Sequence, residues 1–233
     1  MTPTLVLAAH GTRSEEGRQT MSALARAVRA ARPGHRVELG YLEICAPLLR
    51  DVLPAVRGPV VVVPLLLAGG YHVHIDLPAV LADHRPDAVT AGPLGPHRLL
   101  TAALARRLSR AGLRATDAVV LGAAGSSDPA ALADVRAAAH RLALRLSRPV
   151  TAAFVSAGEP GLAETMERLR SGPAARVALA SYLLAPGFFH SRLADAGADL
   201  VSAPLGADPD VAALTWHRYD EALRRTARTP AAV

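Results

Sequence analysis

The chain contains no lysine and no asparagine, one cysteine, and only 3% aromatic residues. Each shortage excludes something. A lone thiol, Cys45, cannot close an internal disulfide, and with no second cysteine at motif spacing it reads as a small buried side chain. With few rings for base stacking, and arginines spread through helical patterns (Arg26, Arg29, Arg32; Arg106, Arg107, Arg110), no nucleic-acid partner is expected. Long hydrophobic runs are also missing. The longest, Val60 to Ala68, is broken by Pro64 and falls well short of the roughly 20 residues that cross a bilayer, so no membrane span or membrane partner is expected. The stretch from Met1 to His10 lacks the basic flank and extended apolar segment of a secretory signal, which makes a cytoplasmic setting the expectation.

What is present is a chain of 233 residues, 51% of them hydrophobic, enough to bury a core as one large domain or two smaller ones. The formal charge of +6 comes entirely from arginine, which stays ionised at any working pH. An anionic partner would account for it; so would a genome rich in arginine and alanine codons.

Short β-branched runs alternate with helical patterns, the signature of a parallel sheet flanked by helices. A strand over Thr4 to Ala9 precedes a helix carrying Met21, Leu24, Ala25 and Val28 that ends near Pro33-Gly34. A strand over 36–42 leads to a helix opened by Pro47. A third over 60–67 runs into Gly69-Gly70, with Asp76 expected to cap the next helix. A short strand over 88–91 precedes a helix with Leu100, Leu104 and Leu108.

The second half replays this order. Leu7 to Arg13 corresponds to Leu121 to Ser127, Leu42-Glu43 with Pro47 to Val155-Ser156 with Pro160, Leu66 to His72 to Leu183 to Phe189, and Ala91 to Gly95 to Ser202 to Gly206. Order and spacing are kept throughout, so the chain reads as an internal duplication: an α/β protein of two similar lobes, residues 1–115 and 116–233, facing each other across a cleft. Ligands of open parallel sheets collect beyond the carboxyl ends of the strands. The residues expected to meet there are 10–13, Glu43 and 69–74 from one half, and 124–127, Ser156 and 187–190 from the other.

Three ionisable groups end the first three strands: His10, Glu43 and His72. Two neutral imidazoles and a carboxylate suit a borderline divalent metal such as iron, cobalt or nickel and leave coordination positions open. His74, two residues beyond His72, would point the same way if the segment were extended; it also reads as a rim residue. His97 reads as a cleft-lining or helix-capping group, and His35, His84, His140 and His217 are assigned no role.

These residues resemble the sirohydrochlorin chelatases in their two-lobed, single-chain form. The resemblance covers nearly the whole chain and rests on Ala9-His10-Gly11-Thr12-Arg13, on Tyr41-Leu42-Glu43 with Pro47, on Val63-Pro64-Leu65-Leu66-Leu67 followed by His72 and Asp76-Leu77-Pro78, and on Gly125-Ser126-Ser127-Asp128-Pro129. It implies two chelatase-like lobes with the active site between them, insertion of Fe2+ or Co2+ (Ni2+ being compatible with the same ligands) into the acidic tetrapyrrole sirohydrochlorin for siroheme or cobalamin synthesis, and no organic cofactor. By that resemblance His10, Glu43 and His72 bind the metal and support insertion, with His72 and His74 competing for the second histidine position. Substrate contacts are expected from Gly11, Thr12, Arg13, Tyr71, His74, Ser126, Ser127, Phe188 and Phe189. The aligned positions of the second half, Ala124, Ser156 and Phe189, offer no strong ligand, so one metal per chain is expected, His190 being the single complication. A metal or tetrapyrrole carrier on the same fold remains an alternative. A histidine phosphohydrolase is less favoured, because Ala9 stands where such an enzyme needs an arginine. Monomer and homo-oligomer are both left open.

Overall fold

A computed structural model describes residues 2–172 and 176–228. The first repeat runs β1 (Thr4–Ala9), α1 (Glu15–Ala31), β2 (Val37–Tyr41), α2 (Leu49–Ala55), β3 (Val60–Pro64), a π-helical turn (His72–Asp76), α3 (Leu77–His84), β4 (Val89–Thr90) and α4 (Arg98–Ala111). The second runs β5 (Ala118–Ala123), α5 (Pro129–Leu146), β6 (Val150–Phe154), α6 (Leu162–Arg170), β7 (Val177–Ser181), α7 (Phe188–Ala194), β8 (Leu200–Val201) and α8 (Pro209–Arg228). Each repeat forms a four-stranded parallel sheet, ordered β2-β1-β3-β4 and β6-β5-β7-β8. The identical order is the architecture that the duplication implied. Among the described residues no helix is long and apolar enough to cross a membrane.

Every residue of β1 is buried, because helices cover both faces of its sheet. Leu5, Leu7 and Ala9 point into a large core that also contains Val119, Leu121 and Ala123 of β5. Val6 and Ala8 point the other way, onto Leu49, Leu53, Leu77 and Leu81 of α2 and α3. On the far side of the second sheet Val120 and Leu179 meet Leu162, Met166 and Leu193 of α6 and α7. The large core is therefore common to both repeats, and α1, α4, α5 and α8 lie within it between the sheets.

The repeats exchange their last helices. Helix α4 packs against β7 and β8, while α8 packs against β3, β4 and α1. Polar contacts follow the same exchange: Arg106 pairs with Asp208 at 2.6 Å, Trp216 Nε1 donates to Val28 O at 2.9 Å, and the Tyr219 hydroxyl donates to Pro3 O at 2.7 Å. Arg32 makes a two-pronged ion pair with Asp220 at 2.8 and 2.6 Å and lies over the Trp216 ring. Each repeat's last helix thus covers the sheet of the other.

Three local expectations are corrected. Strand β3 stops at Pro64, and the four residues Leu65 to Ala68 line the cleft instead. Asp76 makes no cap hydrogen bond, because helical backbone begins before it, in the π turn at His72. The same turn replaces the extended backbone that would have aimed His72 and His74 in one direction.

Candidate metal centre

In a sheet ordered 2-1-3-4 the crevice opens where the chain departs in opposite directions from the central strands. His10 leaves β1 there and His72 follows the loop after β3, while Glu43 lies two residues past the end of the neighbouring β2. Gly11 has φ +117°, and a side chain on it would meet the Glu43 carbonyl at 2.0 Å; only glycine lets the β1 loop lie against the β2 loop and bring His10 to Glu43. Gly125, with φ +98° and Ala157 O at 2.3 Å from a hypothetical Cβ, repeats the device in the second lobe. Beside Glu43, the β-branched Ile44 sits at φ 70°, a strained conformation of the kind concentrated at functional sites.

His10 Nε2 lies 2.9 Å from His72 Nε2 and 3.2 Å from Glu43 Oε1, and one ligand atom from each of the three residues falls within 4.8 Å of the others. Metal–nitrogen bonds of about 2.0–2.1 Å, meeting at right or tetrahedral angles, place neighbouring ligand atoms about 2.8–3.4 Å apart. The His10–His72 and His10–Glu43 contacts have that spacing. His10 Nδ1 is 3.2 Å from Gly11 O and His72 Nδ1 is 2.5 Å from Asp76 Oδ2. With its Nδ1 donating to Asp76, the neutral His72 ring turns a bare Nε2 lone pair toward His10 and Glu43, where it can accept a His10 Nε2–H or hold a cation shared by all three. All three side chains are partly open to solvent, His10 at 36% and Glu43 at 54%, so an ion held there can exchange.

Two adjoining cavities of about 470 and 410 Å³ occupy the space between the lobes and share His10, Leu65, Leu183 and Leu184. Tyr71, His72, Gly125, Ser126 and Ser127 line the first; Gly11, Thr12, Arg13, Phe188, Phe189 and His190 line the second. Exposed large apolar side chains gather at this mouth: Ile44, Tyr71, Phe188 and Phe189, with Phe188 71% exposed. A flat apolar molecule carrying anionic groups fits such a lining, since the Arg13 side chain stands exposed beside it.

Not every expected group converges. His74 is exposed, lies over Gly69, and lines neither cavity. Thr12 Oγ1 and Ser126 Oγ accept from the backbone N–H groups of Ser14 and Asp128, which leaves one hydroxyl proton each to donate. The helix starts are already served: Ser14 caps α1 ahead of Glu15 and Glu16, and Asp128 caps α5, so neither N-terminus is an open anion site. His190 Nε2 is buried without a hydrogen-bond partner. Three contributors escaped sequence reasoning. Asp76 had a usable signal, its place four residues after a histidine on a helix. Asp134 accepts from Gly69 N–H at 2.8 Å and the Tyr182 hydroxyl donates to Leu67 O at 3.0 Å; together they tie the loop before His72 to the second lobe, and nothing local in the sequence announces either. Burial pushes the Tyr182 phenol pKa up, with the Asp134 charge adding to it, so the hydroxyl remains a donor.

The structure is similar to SirB from Bacillus subtilis with Fe3+, at a TM-score of 0.82 and 23% identity over 98% of each chain. It is also similar to CbiX, the terminal enzyme for siroheme biosynthesis in denitrifying bacteria, at 0.69 and 23% identity over 94% of this chain and 99% of that one. At these identities the likeness speaks for the fold. In sequence, a sirohydrochlorin cobaltochelatase of Methanopyrus kandleri is 32% identical over 81 residues, 33% of this chain and 57% of that protein. One from Methanococcoides burtonii is 28% identical over 108 residues, 39% of this chain and 82% of that protein. The match to the first thus spans little more than half of the relative's length. The CbiX family model matches twice, over residues 4–111 and 118–222, and on that double match the chain belongs to the CbiX family.

Proposed function

We propose that the protein is a sirohydrochlorin chelatase, which inserts Fe2+ or Co2+ into the tetrapyrrole on the route to siroheme or cobalamin. The observation that carries this reading is the trio His10, Glu43 and His72, with ligand atoms within 4.8 Å, opening on a cleft walled by both lobes. The metal is a substrate. His10 Nε2, His72 Nε2 and a Glu43 oxygen hold it and leave the cleft-facing positions free for incoming ring nitrogens. Insertion breaks two pyrrole N–H bonds and forms metal–nitrogen bonds. As each ring nitrogen takes a coordination position, an imidazole or the carboxylate released from the metal becomes a base for a pyrrole proton. The solvent exposure of the trio lets those protons leave and the next ion enter.

In the same reading the repeat 1–115 bears the chemistry and 116–233 supplies the opposite wall. Tyr71, Phe188 and Phe189 flank the macrocycle, and Arg13 pairs with its carboxylate arms. Gly11, Thr12, Ser126 and Ser127 complete the lining, and His74 is a rim residue.

An absorbance assay with sirohydrochlorin and each of Fe2+, Co2+ and Ni2+ tests this. The reading expects many turnovers per chain with iron or cobalt, and almost none in folded His10→Ala and His72→Ala variants. Stoichiometric binding without turnover would make the protein a carrier, and near-normal turnover in both variants would remove the trio from the reaction.

A further inference from the structure

We infer that Asp76 is a positioning residue of the metal centre, an inference that rests on the metal site proposed above. Its carboxylate oxygen Oδ2 lies 2.5 Å from Nδ1 of His72. A neutral imidazole carries one N–H, and a carboxylate can only accept; the proton of His72 is therefore on Nδ1, and Nε2 is left bare toward His10 and Glu43. Without that acceptor the ring is free to carry its proton on Nε2, where it would block the metal, or to turn about its last side-chain bond.

The local fold is arranged around this contact. Leu77 N–H donates to His72 O, closing the π turn, and a turn of this kind interrupts a regular helix mainly at functional sites. Asp76 stands immediately before α3 yet accepts no hydrogen bond from the helix start, so its carboxylate is spent on His72. The side chain is 32% exposed, which makes the hydrogen bond more than a loose surface encounter. By contrast, His10 Nδ1 has only the carbonyl of its own neighbour, Gly11, at 3.2 Å. The orientation of the His72 ring thus depends chiefly on Asp76.

The second repeat supplies an independent comparison. Where Phe189 corresponds to His72, Leu193 corresponds to Asp76, and Leu193 is fully buried among the apolar side chains under the second sheet. Ligand and orienting carboxylate are present together in one repeat and missing together in the other. A carboxylate that served only the helix would have no reason to follow the histidine.

The test is a titration of the full-length, metal-free chain with Co2+ alone, read by visible absorption, for wild type, Asp76→Ala, Asp76→Asn, Asp76→Glu and His72→Ala. Removal of a carboxylate that orients a metal-bound histidine typically weakens affinity by about 10–100-fold, and that loss is expected in Asp76→Ala, with an altered cobalt band. Asp76→Glu should restore part of it, and sirohydrochlorin affinity without metal should not change. Folded Asp76→Ala and Asp76→Asn proteins with wild-type cobalt affinity and band shape would overturn the inference. Should Asp76→Ala fail to fold, Asp76→Leu, which also removes the acceptor and places the residue of the second repeat there, decides in its stead. The His72→Ala control separates the two levels: if it binds cobalt normally, the metal-site reading itself falls, whereas cobalt loss in His72→Ala with normal binding in the Asp76 variants sinks only the role of Asp76.

Discussion

Arg13 shows how one residue divides substrate recognition from metal binding. It lies three positions beyond His10, on the loop that Gly11 bends against Glu43, yet its guanidinium is exposed at the cavity holding Phe188 and Phe189. Reversing its charge in Arg13→Glu should raise KM for the acidic tetrapyrrole by about tenfold, the loss of one charge-assisted hydrogen bond of ~1.4 kcal/mol, with Co2+ affinity unaffected. A fall in cobalt affinity at constant KM would move Arg13 into the architecture of the loop. At this scale His10 and Glu43 were legible because they lie one and two residues beyond the ends of β1 and β2, where strand direction largely fixes the destination. His72 was harder, since seven residues separate it from the end of β3 and the choice between it and His74 turned on whether those residues were extended or helical.

Elements were legible where a periodic pattern carried them, as in β1, read over the residues it occupies. Strand β3 was read too long, because the apolar run through Leu67 is buried for a second reason, the lining of the cleft, and hydrophobicity does not distinguish the two. Helix α4 shows an element carrying a pH-sensitive cap. His97 precedes it and accepts the Leu99 N–H through Nδ1 at 3.2 Å, beside the His217 ring. Burial pushes the His97 pKa from 6.5 down to about 4, and the positive charges of Arg218, His217 and Arg98 add to the shift against a small opposing effect of Glu221. The folded chain therefore keeps His97 neutral where the unfolded chain protonates it. The stability this confers is intact above pH 6.5 and is lost as pH falls from 6.5 towards about 4. Asn is also a good N-cap acceptor and does not titrate, so His97→Asn should flatten the stability curve in that window. Urea unfolding at the two ends checks it; an unchanged slope would place the pH dependence elsewhere.

For the molecule as a whole, the duplication was plain in the sequence, but the exchange of α4 and α8 between lobes was not. Amphipathic spacing says that a helix covers a sheet, never which one, and the pairs that settle it, Arg106 with Asp208 and Tyr219 with Pro3, lie far apart in the chain. The exchange makes one core of two repeats and fixes the cleft, so the second lobe can keep its place after losing ligands: Ala124, Ser156 and Phe189 stand where His10, Glu43 and His72 stand in the first. Counting metal ions tests that asymmetry most directly. Titration of the metal-free chain with Co2+ should find one tight site per chain, absent from the His10→Ala/His72→Ala double variant and retained in His190→Ala; two equivalent sites, or a single site that vanishes with His190, would contradict it.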